Sequence, residues 1–359
     1  MGVAPMTRLL PGITDVAAQA GVSTATVDRV LNRRAGVRQA TVQRVLKAAA
    51  ELNYLPEADL YAMLAPAPTR VTFLLPRDTS GFINMLGDMV GYSQGQWAPY
   101  NVKCRTEWVD SFNPEALAQA LLRHGKRSDG LVMMALEDPA VREAVATLAE
   151  RGVPVLTVIS DIAHSQRAAY IGLDNRAAGR TAGYLIGRFI GAREGKVALI
   201  AGSLRYAAHH EREAGFLQVM QEMFPNLTVV GLREGHDDSA KNYRQTRALM
   251  DQYRDLAGLY NIGGAADGVA RALSERGRDQ PVVFVGHGLT PDTRAMLIDG
   301  SMDAVITQSP QATLMSCVRI FANLRDKRDL LSGVEVTRSQ VIFRAVSYTH
   351  LRAHETRGN

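Results

Sequence analysis

Thr24, Ala25, Asp28 and Arg29 have the types and the helical spacing of a face that enters the major groove of DNA. In a groove, arginine donates two hydrogen bonds to guanine, threonine donates or accepts, and alanine makes a small apolar contact. Asp28 adds a carboxylate that accepts from cytosine or pairs with Arg29. Far along the chain lies a second polar set. Ser160, Asp161, Asp174, Asn175, Ser203, Tyr206, Asn261, His287 and Gln308 each follow, end or lie just beyond a short apolar run. A ring of amides, carboxylates and one histidine suits a hydroxyl-rich ligand, because each hydroxyl both donates and accepts.

The first set needs two short helices to hold it. Val16, Ala17 and Ala20 form one apolar stripe, Gly21 permits the positive φ of a turn, and Ser23 caps the next helix. In that helix Val27, Val30 and Leu31 face inward, which turns Thr24, Ala25, Asp28 and Arg29 outward. The spacing predicts a third helix over 39–52, ended by Tyr54-Leu55-Pro56. The pattern is that of a helix-turn-helix, although a helical hairpin with a solvated outer face has the same periodicity. Charge favours the nucleic-acid reading: between residues 8 and 50 seven basic side chains, Arg38 among them, stand against Asp15 and Asp28 alone.

The second set needs strands. Runs at 71–75, 130–134, 154–159, 197–201, 227–231, 258–262 and 282–286 are apolar without polar alternation, and amphipathic helical stretches separate them. In such doubly wound α/β sheets the ligand sits beyond the carboxyl ends of the strands, where the polar residues fall. With 359 residues the chain is long enough for a small helical domain and two α/β lobes.

The fold expected is a small all-α domain followed by two doubly wound parallel sheets. The boundaries read as a headpiece with hinge at 1–64, a linker at 65–69 rich in proline, a two-lobed domain at 70–346 and a tail at 347–359. The tail fits neither period and resembles a translated sequencing adapter, so it is expected to be non-native and disordered.

Several function classes lack their signatures. No apolar run reaches the roughly eighteen residues of a membrane helix, and no secretory signal opens the chain, which makes the cytoplasm the expected compartment. Cys104 and Cys317 are expected to be buried thiols. Gly263-Gly-Ala-Ala-Asp-Gly268 lacks the placement and downstream acid of a dinucleotide loop, and no nucleophile elbow, zinc-protease or nucleotide-hydrolase motif is present. The expectation is a protein without catalytic residues, metal or cofactor.

The headpiece residues Asp15-Val-Ala, Ala20-Gly-Val-Ser-Thr24, Thr26-Val, Arg29-Val-Leu-Asn32 and Glu51-Leu-Asn-Tyr-Leu-Pro56 resemble the DNA-binding domain of the LacI/GalR family of bacterial transcription regulators. The resemblance implies that Thr24, Ala25 and Arg29 read bases, that Ser23 and Thr26 hold phosphate, and that the helix running to Asn32 lies in the groove. Asp28 departs from the serine of many relatives. The resemblance also implies a hinge helix over 57–64, with Met63 where relatives wedge an apolar side chain into the minor groove. Its acids, Glu57 and Asp59, weaken that expectation, and linker packing is the alternative for Met63.

Residues 70–345 resemble the family's effector domain, which is related to periplasmic sugar-binding proteins. The motifs are Asp174-Asn-Arg-Ala-Ala-Gly179, Arg212-Glu-Ala-Gly-Phe216, Val283-Phe-Val-Gly-His287 and Asp303-Ala-Val-Ile-Thr-Gln308. They imply that Arg212 reaches the effector and that Asp174, Asn175, His287 and Gln308 share its cleft, with Phe82 stacking on a sugar face or packing in the core. His287, set against an aspartate of many relatives, and Gly263-Gly264 in place of an Asn-Asp pair imply a different ligand from that of the best-known members. His209 and His210 read as loop residues. The expected protein is a regulator, most simply a repressor, whose dimer binds a palindromic double-stranded operator under control of a sugar, polyol or sugar acid. The helix over 82–94 and the segment 303–325 are its expected dimer surfaces. The alternative is a periplasmic-type sugar-binding protein with no DNA-binding role.

Overall fold

A computed structural model of the chain describes residues 11–32, 34–56, 67–77, 80–275 and 281–345. It divides into two compact units at Pro68/Thr69.

The described residues of the first unit form three helices, α1 (Ile13–Ala20), α2 (Thr24–Leu31) and α3 (Gln39–Glu51). Gly21 ends α1 in the left-handed conformation, φ 62°, and Ser23 Oγ accepts from the Thr26 N–H at 3.2 Å to cap α2. Val16, Val27, Val45 and Leu46 meet in a small apolar core. Met63 and the expected hinge helix lie outside the described residues, as does the tail.

The second unit holds two sheets, each with an α/β winding. The first runs through β1 (Thr69–Pro76), α4 (Gly81–Tyr92), a 3-10 turn at Gln94–Tyr100, β2 (Val102–Val109), α5 (Pro114–His124), β3 (Gly130–Met133), α6 (Pro139–Glu150), β4 (Val155–Val158) and β5 (Ala169–Ile171). The second comprises α7 (Asn175–Ile190), β6 (Gly195–Ala201), α8 (Ala207–Met223), β7 (Leu227–Glu234), α9 (Ser239–Gln252), β8 (Leu256–Asn261), α10 (Ala266–Ser274), β9 (Val283–His287), α11 (Pro291–Asp299) and β10 (Ala304–Thr307). α12 (Pro310–Arg325) and β11 (Gln340–Ile342) close the chain.

The sheet orders are β2-β1-β3-β4-β5 and β11-β10-β9-β8-β6-β7. Leaving out β11, both follow the same doubly wound order, with strands parallel throughout. Among the described residues only β11 runs antiparallel, against β10.

Three crossings join the lobes. After β5 the chain enters the second lobe, α12 returns to bury Leu314, Cys317 and Phe321 in the first lobe's core, and β11 goes back to the second sheet. Tyr206, from the second lobe, also packs into the first lobe's core, where it meets Phe112 edge-on at 5.6 Å. Cys104 and Cys317 are unpaired and buried. β2 is an element that the apolar-run criterion misses, because its edge position leaves alternate residues exposed. Among the described residues no helix is long and apolar enough to cross a membrane.

Candidate functional site

In the first unit, α2 presents Thr24, Ala25 and Arg29 to solvent beside Ser23, while Val27 and Val30 face the core. Arg38 is exposed at the start of α3. Asp28 does not pair with Arg29. Its carboxylate accepts from Asn32 Nδ2 at 2.8 Å and forms an ion pair with Arg34 at 3.2 Å. Ser23 Oγ lies 2.9 Å from Thr26 Oγ1, so two hydroxyls and the amino end of α2 cluster on one exposed corner. Such a corner accommodates a phosphate oxygen.

In the second unit, a cleft lies between the carboxyl ends of the two sets of strands. Its space, open mouth included, is about 540 Å³. β1, β3, β4, β5, β7, β8, β9 and β10 send residues to it from their ends or the segments that follow them, and α8, after β6, supplies His209 and Arg212. Phe82, Ile83, Met134 and Ile159 form an apolar wall from the first lobe, Leu173 extends it from the crossing into the second lobe, and His209, Arg212, Asp237, His287 and Gln308 supply polar groups from the second lobe and its junction.

Arg212 is the centre of the polar side. It is 7% exposed, its Nε donates to Asn175 Oδ1 at 2.9 Å and its Nη1 to the Ile262 carbonyl at 2.9 Å. Burial lowers its pKa, against the pull of Tyr260, Tyr170, Glu211 and Asp237. Among the described residues no carboxylate lies within ion-pair distance of it. His287 Nε2 sits 2.6 Å from the Tyr260 hydroxyl, and burial beside Arg212 and His209 pushes its pKa well down. His209 is buried with Nδ1 at the Ser203 main chain, and burial and Arg212 lower its pKa to about 3. Both imidazoles are therefore neutral near pH 7.

Asp237 Oδ1 accepts from the Gly264 N–H at 2.6 Å, and burial raises its carboxyl pKa while that hydrogen bond, His236 and Arg212 draw it back. Ile159 adopts φ 65°, an unusual conformation for a β-branched residue, and its carbonyl accepts from Tyr170 and Asn175.

Of the residues expected at the cleft, His287 and Gln308 from the strand ends and Arg212 from the family resemblance face it, as does Phe82, which is also buried in the first lobe's core. The others do not line it. Ser160 is fully buried and its Oγ accepts from the Ala208 N–H at 3.3 Å, tying the lobes together. Asp161 is held by Arg167 and by Thr157 Oγ1 at 2.6 Å. Asp174 caps α7, accepting from the Ala177 N–H at 2.8 Å. Asn175 orients Arg212 from behind. Asn261 turns its Nδ2 onto the Gly264 carbonyl at 2.9 Å.

Two cleft residues escaped the sequence reading. His209 lies in the first turn of α8, which starts at Ala207, and so is not a loop residue. Asp237 follows β7, which continues past Gly231 to Glu234 with alternating burial; reading that alternation as a strand carries the strand-end rule to Asp237.

Comparison with known proteins gives two family matches. Residues 110–329 match the periplasmic binding protein domain, and residues 12–57 match the bacterial regulatory proteins of the lacI family. Among curated relatives, the HTH-type transcriptional repressor PurR of Klebsiella pneumoniae is 27% identical over 283 residues, covering 77% of this chain and 80% of the relative. The HTH-type transcriptional regulator MalR of Streptococcus pneumoniae is 27% identical over 281 residues, covering 76% and 82%. Among solved structures, a glucose-galactose binding protein from Geobacillus stearothermophilus superposes with a TM-score of 0.68 at 22% identity, covering 77% of this chain and 98% of that one. A solute binding protein from Burkholderia graminis in complex with D-arabinose gives 0.68 at 20% identity, covering 79% and 98%.

Proposed function

We propose, from the premise that this chain belongs to the periplasmic binding protein domain family and carries a DNA-binding domain of the lacI family, that it is a transcription regulator gated by a small hydroxyl-rich effector. One observation carries the proposal: a basic helix-turn-helix with an exposed Thr24, Ala25 and Arg29 face stands in the same chain as a two-lobed cleft built around buried Arg212. The Klebsiella and Streptococcus relatives are named as a repressor and a regulator, and the Burkholderia structure holds D-arabinose, which supports the same reading. The lacI-family headpiece disfavours a sugar-binding protein without a DNA role.

In this reading α2 lies in the major groove of each half of a palindromic operator, with Arg29 on a base edge and Ser23, Thr26 and Arg38 on phosphates. Two copies associate through α4 and α12, where Tyr92, 89% exposed at the end of α4, offers an apolar anchor. The effector bridges the lobes, hydrogen-bonding to Arg212, His287 and Gln308 with its ring face toward Phe82. Operator affinity then changes by no more than the ratio of the ligand's affinities for the two lobe arrangements.

The test is to select genomic fragments on the purified protein at moderate salt and then titrate the selected site with monosaccharides and polyols. A fragment bound above bulk duplex and modulated by one of them supports the proposal. The absence of any preferred fragment refutes the regulator. A ligand whose thermal stabilisation is unchanged in Arg212→Ala refutes the cleft as its site.

A further inference from the structure

We infer that Asp237 is a specificity-determining residue of the cleft, a carboxylate placed to accept a hydrogen bond from an effector hydroxyl and to turn acidic analogues away. The inference rests on the cleft being an effector site and deepens that reading.

The carboxylate has a built seat. Its Oδ1 takes the Gly264 N–H at 2.6 Å, and a β-carbon on Gly202 or on Gly263 would each stand 2.5 Å from that same oxygen. Two glycines, one from the turn after β6 and one from the turn after β8, therefore leave the room that this carboxylate fills, and Gly264 supplies the amide that holds it. Asp237 itself adopts φ 52°, a conformation that aspartate, asparagine and glycine tolerate better than other residues. With the first oxygen occupied, Oδ2 has no hydrogen-bond or ion-pair partner among the described residues, and the side chain lines the cleft.

Arg212 stands on the same lining with the complementary deficit. Nε and Nη1 are engaged by Asn175 and Ile262, and Nη2 has no partner among the described residues. One unpaired anion and one unpaired cation thus share a cleft without forming a salt bridge to each other. A ligand hydroxyl accepts from a guanidinium and donates to a carboxylate, so a neutral polyol satisfies both groups at no net change in buried charge. A carboxylate or phosphate on the ligand satisfies Arg212 but meets Asp237 in a site largely shielded from water, where like charges repel strongly. The apolar wall of Phe82, Ile83, Met134, Ile159 and Leu173 leaves no further cation on that side to offset the repulsion.

The experiment is isothermal titration of the full-length protein with matched neutral and acidic pairs: D-galactose with D-galacturonate, D-glucose with D-glucuronate, and D-glucitol with D-gluconate. Each is repeated with Asp237→Asn, which keeps the acceptor for Gly264 and suits positive φ. In the wild type the neutral member of the binding pair is expected to bind at least tenfold tighter than its acid. In Asp237→Asn the neutral affinity falls about tenfold, and the neutral-to-acid ratio shrinks by at least tenfold. If Asn at this position fails to fold, Asp237→Gly, also suited to positive φ, repeats the measurement. An acid that binds the wild type more tightly than its neutral partner overturns the inference and leaves the effector cleft standing. So does a ratio unchanged by the substitution, which a purely structural Asp237 would give. If no pair binds the wild type at all, the hydroxyl-rich effector reading itself fails, and this inference with it.

Discussion

A β-carbon on Gly179 would lie 2.0 Å from the carbonyl oxygen of Arg212. The relation is reciprocal, because one on Gly215 would lie 2.0 Å from the carbonyl oxygen of Arg176. Helices α7 and α8 therefore run main chain against main chain at the level of the buried guanidinium. Gly183 and Gly187, at four-residue steps along α7, continue the contact against Phe216 and Phe224. Because Arg212 is the residue touched, the glycine row fixes the depth at which the guanidinium enters the cleft.

Gly179→Ala is accordingly expected to destabilise the effector domain by about 1–3 kcal/mol, since the overlap is with backbone that no rotamer change relieves. That corresponds to a fall of a few degrees in Tm for a domain of this size. Effector affinity falls with it as Arg212 is displaced. Gly91→Ala is the control: it lies inside α4 with no heavy atom within 4 Å of its β-carbon, so the change should be neutral or stabilising by up to about 1 kcal/mol. Equal melting temperatures for Gly179→Ala and the wild type would contradict the account.

Buried neutral His209 makes stability pH-dependent with a definite sign. Its folded pKa, about 3, lies below the value near 6.5 of an unfolded histidine. Between those values the unfolded chain binds the extra proton, so stability is complete above about pH 6.5 and is lost as pH falls. His287 shifts in the same direction. Asp237 and Glu211, raised by burial, oppose the trend. Denaturant unfolding is expected to show about 1 kcal/mol less stability at pH 5.5 than at pH 7 from His209 alone. His209→Gln should reduce the slope; an unchanged slope would exclude His209 as its source.

The helix-turn-helix was legible because three short helices with one apolar face each leave little choice of packing. Val16, Val27 and Val45 could only turn inward together. The parallel strands were legible as apolar runs because both their faces are covered. β2 and the second half of β7 were not, since each lies at a sheet edge and alternates. The cleft was legible as a place more than as a list. Strand ends locate it, but where a side chain goes depends on the next turn: Asp174 is used to start α7 and Asp161 to hold Arg167, while Gln308 and His287 turn inward. Asn175 shows the intermediate case, a residue read as touching ligand that instead aims Arg212.

In the headpiece, the pairing of Asp28 with Asn32 and Arg34 leaves Arg29 exposed and without a side-chain partner among the described residues, as the proposed contact with a base edge requires. Arg29→Ala should cost about 1–3 kcal/mol and relax sequence preference at one operator position in each half-site. Arg38→Ala, removing a phosphate contact, should weaken binding to all sequences alike and lower the salt dependence by about one unit of slope per headpiece. Anisotropy titrations against single-base operator variants at several salt concentrations separate the two. Interchanged effects would reverse the roles assigned to these arginines.

Across the mouth of the cleft, a β-carbon on Gly264 would stand 2.8 Å from the Cα and 3.2 Å from the backbone nitrogen of Ser80, so the lobes touch there through main chain. Ser80 caps α4, its Oγ accepting from the Phe82 N–H at 3.2 Å, and the contact therefore also sets where Phe82 enters the cleft. Gly264 has no positive φ, and an alanine there carries no conformational penalty of its own. The strain of Gly264→Ala falls on lobe closure alone and is relieved when the lobes part. The expected result is a ligand-free melting temperature within about two degrees of wild type, effector affinity reduced at least tenfold, and an operator response displaced to higher effector concentration by the same factor. Wild-type affinity in this variant would mean that the effector is held without closing the Ser80 contact, and that Arg212 with its own lobe suffices to bind it.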